Sequence, residues 1–518
     1  MISGNLQARD YQKNIAKAAV EGNTLVVLPT GLGKTMISIL VAASRLEKYP
    51  RGKVVVLAPT RPLALQHFES FRRDLPVTGE GEFALLTGTV DPGEREVLWL
   101  KSRLIFATPQ TVYNDAKNGR VDLRDVVLMV FDEAHRSVKD YTYTRLARAY
   151  IDNASNPLVL GLTASPGGSR EKVDEIKQSL FIDRVEARSE ESEDVRPYVE
   201  RTAIEAVRVR VPPEYSDVIL RLRELFNDKV KKLRDGGFLR DNRVSKKALL
   251  EARATISSRL RQAQASGGQK GYIFGAIINQ AQSIVILHAI EMIETQGAPT
   301  LVRYLEKLRE RKDQGKSTTA LLKDPRWLRM EEEATRLYNV EHSKMVVLRS
   351  TIREQMAKKP DSKVIVFTQY RDTIDDIVRT LDEGGYKSKR FVGQSDRIGN
   401  KGMDQASQSE TLQLFREGDF DVLVSSSIGE EGLHVPDVDL VVFYEAVPSE
   451  IRFIQRRGRT GRTSEGRVVI LLAEGTIDEA YYYSSLSKES RMRKLVGEKD
   501  EPPPRKSKKK PTLLDFVE

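Results

Sequence analysis

The chain has 518 residues, with 84 Lys and Arg, 74 Asp and Glu and no Cys, so its formal net charge is +10. At roughly 150 residues per domain, this length predicts about three domains, or one large domain with an insertion. The lack of Cys excludes disulfides, zinc–thiolate sites, iron–sulfur clusters and a cysteine nucleophile, while the basic balance favours a polyanionic partner. We see neither an apolar run of about 20 residues nor a leader with a basic and then an apolar region, which predicts a cytoplasmic protein without a membrane partner.

Short β-branched runs alternate with helix-length amphipathic stretches in two parts of the chain. Residues 24–162 contain TLVVLP, KVVVLAP, RLIFATP, VVLMVFDEAH and PLVLGLTAS, and residues 362–472 contain SKVIVFTQY, KSKRFVGQ, FDVLVSSS, VDLVVFYEAV and GRVVILLAE. This alternation is typical of parallel sheets that are covered by helices on both faces. Between the two parts, residues 212–350 carry apolar residues at helical spacing, which predicts a helical insertion. Its basic runs have two interpretations, the solvated face of helices or a nucleic-acid contact.

We therefore predict an α/β protein with three folded units. Two parallel-sheet domains comprise residues 1–205 and 351–495, and an inserted helical domain comprises residues 206–350. Residues 496–518 contain EPPPRKSKKK, which buries too little apolar surface to fold alone, so they are predicted to form a disordered basic tail.

A phosphate-binding loop is predicted at the end of the first strand. The segment Leu28–Thr35 reads LPTGLGKT and precedes a helical pattern. Glycines at such a turn let backbone N–H groups approach phosphate oxygens, and the helix N-terminus favours negative charge. Lys34 is expected to reach the β- and γ-phosphates of a nucleotide, and the Thr35 hydroxyl to ligate Mg²⁺. The general pattern has Gly where Leu28 stands, so the string departs from it there. The predicted loop residues are Thr30, Gly31, Gly33, Lys34 and Thr35.

Two adjacent carboxylates, Asp132 and Glu133, follow the apolar run VVLMVF. An Asp at a strand end can hold Mg²⁺ through water, and the following Glu can orient and deprotonate an attacking water. Adjacent carboxylates carry little weight alone. On a strand next to that of the phosphate-binding loop, they would complete a site for nucleotide hydrolysis.

Residues 455–462 read QRRGRTGR. One interpretation is a basic surface helix that binds any polyanion. The other is that Arg459 and Arg462 are arginine fingers, which stabilise charge on the γ-phosphate in the transition state. Gly458 and Gly461 would weaken a plain surface helix, so they favour the second interpretation.

Taken in order, these strings resemble the motifs of superfamily 2 helicases. Further strings in the expected order are APTR at 58–61, ATPQ at 107–110, TAS at 163–165, FTQY at 367–370, FVGQ at 391–394 and GEEG at 429–432. Within that superfamily, the strings LHAIEMIETQG at 287–297, GMDQ at 402–405 and SIGEEGL at 427–433 are similar to the archaeal Hef-type helicases, whose relatives include the Fanconi anaemia M protein. The resemblance implies tandem RecA-like domains and a helical insertion that contacts branched DNA. It also implies a DNA helicase or translocase that depends on ATP and Mg²⁺ and acts in replication-fork repair.

The resemblance also implies roles for single residues. Arg9 and Gln12 should read adenine, and Gln455 should lie at the ATP cleft. Thr163 and Ser165 should couple the nucleotide state to domain movement. For an isolated Thr or Ser, a helix cap or a turn is the alternative. The residues expected to line the nucleic-acid groove are Arg61, Thr108, Gln369, Gln394 and Ser427.

Several partners follow from the same resemblance. Hef-type chains often carry a nuclease with a Glu-Arg-Lys string in an acidic surround, whereas the string at 310–312 lies in the helical insertion. We therefore expect that this chain does not cut DNA by itself, and a separate nuclease remains open as a partner. The string KPTLLDFV at 510–517 resembles the peptide that docks on the PCNA sliding clamp, with Leu513 and Phe516 as anchors, and a disordered end is the alternative. DNA binding implies association with the nucleoid.

Two other functions remain open. A double-stranded-RNA-dependent ATPase or helicase would use the same motifs, since these contact phosphate and sugar rather than bases. A non-enzymatic scaffold would bind junctions and recruit a nuclease. The combination of Lys34, Asp132, Glu133 and Arg462 weighs against the scaffold, which needs none of them.

Overall fold

The computed structural model describes residues 8–75, 81–167, 169–198, 203–239, 244–266, 271–311, 315–394, 396, 401–426, 438–446 and 466–495. Within these residues the chain forms two parallel sheets, each covered by helices, and a helical bundle between them in sequence. The predicted architecture of two sheet domains with a helical insertion is therefore confirmed.

The first sheet has seven parallel strands in the order β3-β4-β2-β5-β6-β1-β7. Its strands are β1 (Thr24–Val27), β2 (Lys53–Leu57), β3 (Phe83–Leu86), β4 (Leu104–Ala107), β5 (Val126–Asp132), β6 (Val159–Thr163) and β7 (Arg184–Ala187). Its helices are α1 (Asp10–Ala19), α2 (Lys34–Lys48), α3 (Arg61–Asp74), α4 (Pro92–Lys101), α5 (Pro109–Lys117), α6 (Thr142–Asn153) and α7 (Arg170–Ser179).

The five runs predicted as strands in this part form the inner strands of the sheet. The central strand β5 is buried at all seven positions, because helices cover both faces. The edge strands β3 and β7 were not predicted. Strand β7 is interrupted by Arg184 and Glu186, and all of its residues retain some exposure. Strand β3 is apolar but only four residues long, and it alternates between buried and half-buried residues.

The second sheet has six parallel strands in the order β10-β11-β9-β12-β13-β8. Its strands are β8 (Ala203–Val209), β9 (Val364–Thr368), β10 (Ser388–Phe391), β11 (Val422–Ser426), β12 (Leu440–Phe443) and β13 (Arg467–Ala473). The helices of this part are α14 (Ser343–Lys358), α15 (Arg371–Glu383), α16 (Gln405–Glu417) and α17 (Ile477–Leu495).

Strand β8 precedes the insertion in sequence but belongs to the second sheet. It pairs in parallel with β13, from Ala203 beside Arg467 to Val209 beside Ala473. The domain boundaries predicted at 205/206 and 350/351 fall inside β8 and α14. The largely exposed β8 gave no strand signal in the sequence, because only its last residue is buried.

The insertion consists of α8 (Ser216–Asp235), α9 (Lys246–Ala265), α10 (Gly271–Thr295), α11 (Ala298–Glu310), α12 (Lys316–Leu322) and α13 (Pro325–Arg336). Helices α10 and α11 are separated at Gly297. There φ is +105°, and a Cβ would lie 3.2 Å from the Tyr215 hydroxyl. Glycine permits this break because it has no side chain to clash.

The expectation that no segment has the length and apolarity of a membrane span needs a correction. Helix α10 passes that test by length and composition alone, with a mean hydropathy of 1.6 in its most apolar window, and 50% of that window is buried inside the protein. Helices α8, α9, α11 and α12 pack around it. A helix at the centre of a bundle is apolar on several sides because neighbouring helices cover it, so its composition can match that of a membrane span.

Candidate functional site

Apart from Arg9 and Gln12 at the start of α1, the predicted site residues of the first domain lie at or after the carboxyl ends of its parallel strands. Lys34 follows β1, Asp132 ends β5 and Thr163 ends β6, and these strands are neighbours in the order β5-β6-β1. Arg61 follows β2 and Thr108 follows β4, which are neighbours on the other side of β5. The strand order thus separates the residues predicted to bind ATP or couple to it from those predicted to contact nucleic acid, although the two groups are interleaved in the sequence. The loop and the carboxylates were expected on adjacent strands, but β6 lies between β1 and β5.

In the second sheet, Gln369 follows β9 and Gln394 follows β10, and both strands pair with β11. Strands β12 and β13 lie on the other side of β9, and the arginine-rich segment stands between them in the sequence. Six predicted residues lie outside the described residues: Ser427, Gln455, Arg459, Arg462, Leu513 and Phe516.

The loop predicted to bind phosphate contains two glycines with a left-handed backbone. Gly31 and Gly33 have φ values of +91° and +76°, in the left-handed region that favours glycine. Helix α2 begins at Lys34, whose Nζ donates a hydrogen bond to the Leu28 carbonyl at 3.0 Å. Position 28 departs from the general pattern in its side chain, but its backbone carbonyl holds the lysine in the loop.

The Gly33→Ala variant tests this conformation. A Cβ at Gly33 would lie 2.4 Å from Nε2 of Gln12, and a left-handed non-glycine residue costs about 1–2 kcal/mol. Without nucleotide, the variant loop can relieve this strain by leaving the left-handed conformation. Nucleotide binding then has to return the loop to that conformation, at a cost in binding free energy. We therefore expect about a tenfold weaker affinity for a fluorescent ATP analogue, measured by titration. Gly88→Ala is the control, because nothing lies within 4 Å of its Cβ position. Equal affinities for both variants would contradict the prediction.

The predicted adenine-reading residues are tied to the same loop. The Gln12 Oε1 accepts from the Arg9 backbone N–H at 2.9 Å, and its Nε2 donates to the Leu32 carbonyl at 3.1 Å. The Tyr11 hydroxyl also donates to the Leu32 carbonyl, at 2.7 Å. The Arg9 guanidinium lies over the Tyr198 ring, 5.2 Å from its centroid. Sequence reasoning missed both tyrosines. Tyr11 could have been found beside Gln12, whereas nothing in the sequence links distant Tyr198 to this site.

Asp132 is buried and held in place by two neighbours. Its Oδ2 lies 2.9 Å from His67 Nε2, and its backbone carbonyl accepts from the Tyr143 hydroxyl at 2.7 Å. Burial by itself raises the pKa of Asp132, but the interactions with His67 and Lys34 outweigh it, so the pKa lies below its usual value. Asp132 is therefore a carboxylate at neutral pH, as a hard cation requires.

The donor set fits Mg²⁺. Among the described residues, no group of three or more His, Asp or Glu side chains could hold a metal ion alone. Mg²⁺ in nucleotide sites uses one or two protein ligands together with waters and phosphate oxygens. Asp132 and the Thr35 hydroxyl at the start of α2 supply that number.

The His67→Ala variant tests whether this histidine orients the magnesium ligand, a role that sequence reasoning did not assign. Residues that orient a metal ligand typically contribute 10- to 100-fold in metal affinity. We expect the Mg²⁺ concentration for half-maximal ATP hydrolysis to rise by about that factor. His67→Gln retains an N–H donor and should recover part of the loss. An unchanged Mg²⁺ requirement in His67→Ala would show that Asp132 needs no such support.

A histidine also links the second carboxylate to the predicted coupling residues. His135 Nδ1 lies 3.2 Å from Glu133 Oε2 and 3.1 Å from Thr163 Oγ1. The Ser165 backbone N–H donates to Thr163 Oγ1 at 3.1 Å. Glu133 itself has a left-handed backbone, with φ of +51°. Movement of Thr163 is thereby connected to the carboxylate predicted to activate water.

The four described residues predicted for the nucleic-acid groove differ in exposure. Arg61 and Gln394 are exposed, whereas Thr108 and Gln369 are partly buried. Thr108 stands at the N-cap of α5 without a side-chain cap bond, and its hydroxyl lies 2.8 Å from that of Thr111. Arg61 and Gln394 are thus accessible to a nucleic-acid backbone.

Three family models match the chain in sequence order. The DEAD/DEAH box helicase model matches residues 9–173, the helical bundle of a putative ATP-dependent RNA helicase matches 214–338, and the helicase conserved C-terminal domain matches 343–464. Among solved structures, the helicase domain of Hef from Pyrococcus furiosus is 46% identical with a TM-score of 0.70. That match covers 92% of this chain and 98% of the other.

Relatives with curated names are longer than this chain. The putative ATP-dependent RNA helicase MJ1505 of Methanocaldococcus jannaschii is 38% identical over 95% of this chain and 61% of its own length. The ATP-dependent DNA helicase MPH1 of Pyricularia oryzae is 35% identical over 95% of this chain and 46% of its own length. The chain thus spans less than two thirds of these relatives.

Proposed function

Because this chain belongs to the Hef helicase family, we propose that it hydrolyses ATP to translocate along DNA and to remodel forked and branched DNA in replication-fork repair. The observation that carries the proposal is the division of the first sheet by strand order. Lys34 and Asp132, assigned to ATP, follow β1 and end β5, whereas Arg61 and Thr108, assigned to nucleic acid, follow β2 and β4 at the same edge. Such an edge can bind both ligands at once, as a motor requires.

ATP hydrolysis is assigned to the β5-β6-β1 side of the first sheet. Thr35 and Asp132 would hold Mg²⁺, which would supply positive charge to offset the negative charge that develops on the phosphates. Lys34 exchanges its bond to the Leu28 carbonyl for the phosphates, and Glu133 orients the attacking water and accepts its proton. Arg459 and Arg462 stabilise charge on the γ-phosphate from the second domain.

Coupling to movement runs through His135. Loss of the γ-phosphate changes the partner of Glu133, and His135 transmits that change to Thr163 and Ser165. Cycles of domain closure and reopening then shift the grip on the strand.

The experiment that tests the proposal is a steady-state ATPase assay with matched DNA and RNA forks, followed by strand displacement on the same substrates. We expect DNA forks to stimulate hydrolysis and RNA forks not to compete. The names of the relatives divide between DNA and RNA helicases. Stronger stimulation by RNA would replace DNA with RNA as the substrate, and binding without hydrolysis would favour the scaffold.

The Arg61→Ala variant tests the nucleic-acid edge. Arg61 is exposed at the start of α3 and is assigned to a phosphate, so its loss should weaken fork binding regardless of sequence. The slope of the logarithm of the binding constant against the logarithm of salt concentration should fall by about 1. Arg72→Ala, at an exposed position in the last turn of the same helix, is the matched control and should leave that slope unchanged. Equal slopes for both variants would remove Arg61 from the edge.

The proposed partners besides DNA are the PCNA sliding clamp and a separate nuclease. Leu513 and Phe516 stand at helical spacing in KPTLLDFV and supply two apolar anchors for a clamp pocket. Calorimetry of residues 505–518 with PCNA should give micromolar binding, and no heat at high micromolar peptide would remove the clamp. A clamp could bring the nuclease to the same fork.

The proposed location of the protein is the nucleoid. A fluorescent fusion that is spread evenly through the cytoplasm would contradict this location.

A further inference from the structure

A buried polar junction joins the insertion to the second domain. It consists of Gln296 and Thr300, which flank Gly297 at the turn between α10 and α11, together with Thr373 at the start of α15 and Glu445 just after β12. Each of these four side chains is at most 5% exposed. Buried polar groups need partners, so their hydrogen bonds fix how the two units meet.

The two carboxylate oxygens of Glu445 face different units. Oε1 accepts a hydrogen bond from the backbone N–H of Gln369, within the second domain. Oε2 accepts from Nε2 of Gln296, in the insertion, at 3.4 Å. The Oε1 of Gln296 in turn accepts from the Thr373 hydroxyl at 2.9 Å. One side chain therefore ties the insertion to the backbone of a residue assigned to the nucleic-acid edge.

Two ion pairs beside the junction join the same units without contacting Gln369. Lys307 of α11 binds Asp372 of α15 at 2.6 Å, and Arg303 of α11 binds Asp376 of α15. These pairs attach the insertion to α15, whereas Glu445 fixes the segment that follows β9. Separate mutations can therefore weaken the attachment of the insertion to α15 or the positioning of Gln369.

We propose that Glu445 is a positioning residue that holds Gln369 in register with the insertion, so that the two engage the nucleic acid as one surface. This inference rests on the proposed function, since it assigns Gln369 to the nucleic-acid edge. The carboxylate oxygens accept hydrogen bonds from Gln369 and from Gln296, so a shift of the α10–α11 turn moves the Gln369 backbone with it. The expected effect is on DNA affinity and not on ATP hydrolysis itself.

The test uses the full chain with Glu445→Ala, Gln296→Ala and the double variant. The measurements are the fork DNA concentration for half-maximal ATPase stimulation, the ATPase rate without DNA, the KM for ATP and the melting temperature. Loss of one such hydrogen bond should raise the half-maximal DNA concentration on the order of 3- to 10-fold. The rate without DNA and the KM for ATP should not change. The double variant should be no worse than Glu445→Ala, because both single variants break the same link.

Lys307→Ala is the matched control, since it removes an attachment that does not reach Gln369. A smaller rise than in Gln296→Ala supports the positioning role. Three results would overturn it. One is an equal rise in the half-maximal DNA concentration for Lys307→Ala and Gln296→Ala, another is a double variant whose effect is the sum of the two single effects, and the third is an unchanged DNA requirement in folded Gln296→Ala. If the unmodified chain shows no stimulation by DNA, the proposed function and this inference both fail, whereas a stimulated chain with unaffected variants rejects only the inference.

Discussion

The Lys34→Ala variant should lose ATP hydrolysis, with kcat lower on the order of 10²–10³-fold, which is the typical effect of removing one charge-stabilising donor from an active site. Lys34 begins α2 directly after Gly33, and its ammonium donates a hydrogen bond to the Leu28 carbonyl of the same loop. Its charge also helps to keep the pKa of Asp132 below the usual value. The substitution therefore removes a phosphate contact and weakens the electrostatic support of a magnesium ligand at the same time.

The measurement is the steady-state ATPase rate with saturating Mg²⁺ and fork DNA. Lys48→Ala is the matched control, because Lys48 is an exposed lysine at the other end of the same helix. Its loss affects helix-end electrostatics and a contact with the neighbouring Tyr49 ring, and it should leave the rate within twofold, since such surface interactions contribute about 1 kcal/mol or less to stability. Activity of Lys34→Ala equal to that of the control would refute the assignment of the phosphate-binding loop.

The sequence predicted the parts of this fold that bury continuous apolar runs. All ten predicted runs became strands. Nine of them are inner strands, which leave an unbroken apolar signal, as in the seven buried residues of β5, whereas the tenth is the edge strand β10, in which only Phe391 is buried. Strand β8 escaped prediction because it is an edge strand with six of its seven residues at least partly exposed. Its assignment to the second sheet depends on pairing across the whole insertion, which no local pattern records.

The site shows the same limit. Lys34 and Asp132 were found because short strings mark a strand end and a helix start. His67, Tyr198 and Glu445 were missed, since their contacts with those motifs exist only after folding and their neighbours in sequence carry no distinctive string. The strand order was also needed to separate the ATP residues from the nucleic-acid residues, which alternate along the chain. Residues that support a site from outside its motifs are therefore the ones that structure adds.

The Lys344→Met variant should destabilise the second domain by about 3–5 kcal/mol, because it leaves a buried carboxylate without its counter-ion. Lys344 of α14 is fully buried and forms an ion pair with Asp478 of α17, which is 2% exposed. Asp478 also accepts from the Ala473 backbone N–H at 3.1 Å, at the end of β13. The pair thus joins two helices and a strand of the second domain. The measurement is urea-induced unfolding followed by circular dichroism.

Two comparisons separate the ion pair from simple packing. Arg349 lies in the same helix as Lys344 and forms a partly exposed ion pair with Glu341. The Arg349→Met variant should therefore lower the free energy of unfolding by less than about 1 kcal/mol. Lys344→Met combined with Asp478→Asn replaces the charged pair with neutral groups and keeps an acceptor for Ala473, so it should recover most of the loss. A double variant as unstable as Lys344→Met would assign the loss to packing instead of charge.

The pH dependence provides a further check on the same pair. Burial raises the pKa of Asp478 above its usual value, although Lys344 opposes that shift. A carboxyl group whose pKa is higher in the folded state binds more protons there, so its contribution to stability is lost as the pH rises through the folded-state pKa. Without Lys344 the pKa of Asp478 should rise further, because burial is then unopposed by the ammonium group. The deficit of Lys344→Met relative to the unmodified chain should therefore shrink as the pH is lowered from 8 towards 5, whereas the deficit of Arg349→Met should stay nearly constant. A deficit independent of pH would show that Asp478 has the same protonation state in the variant and in the unmodified chain, and would contradict the prediction.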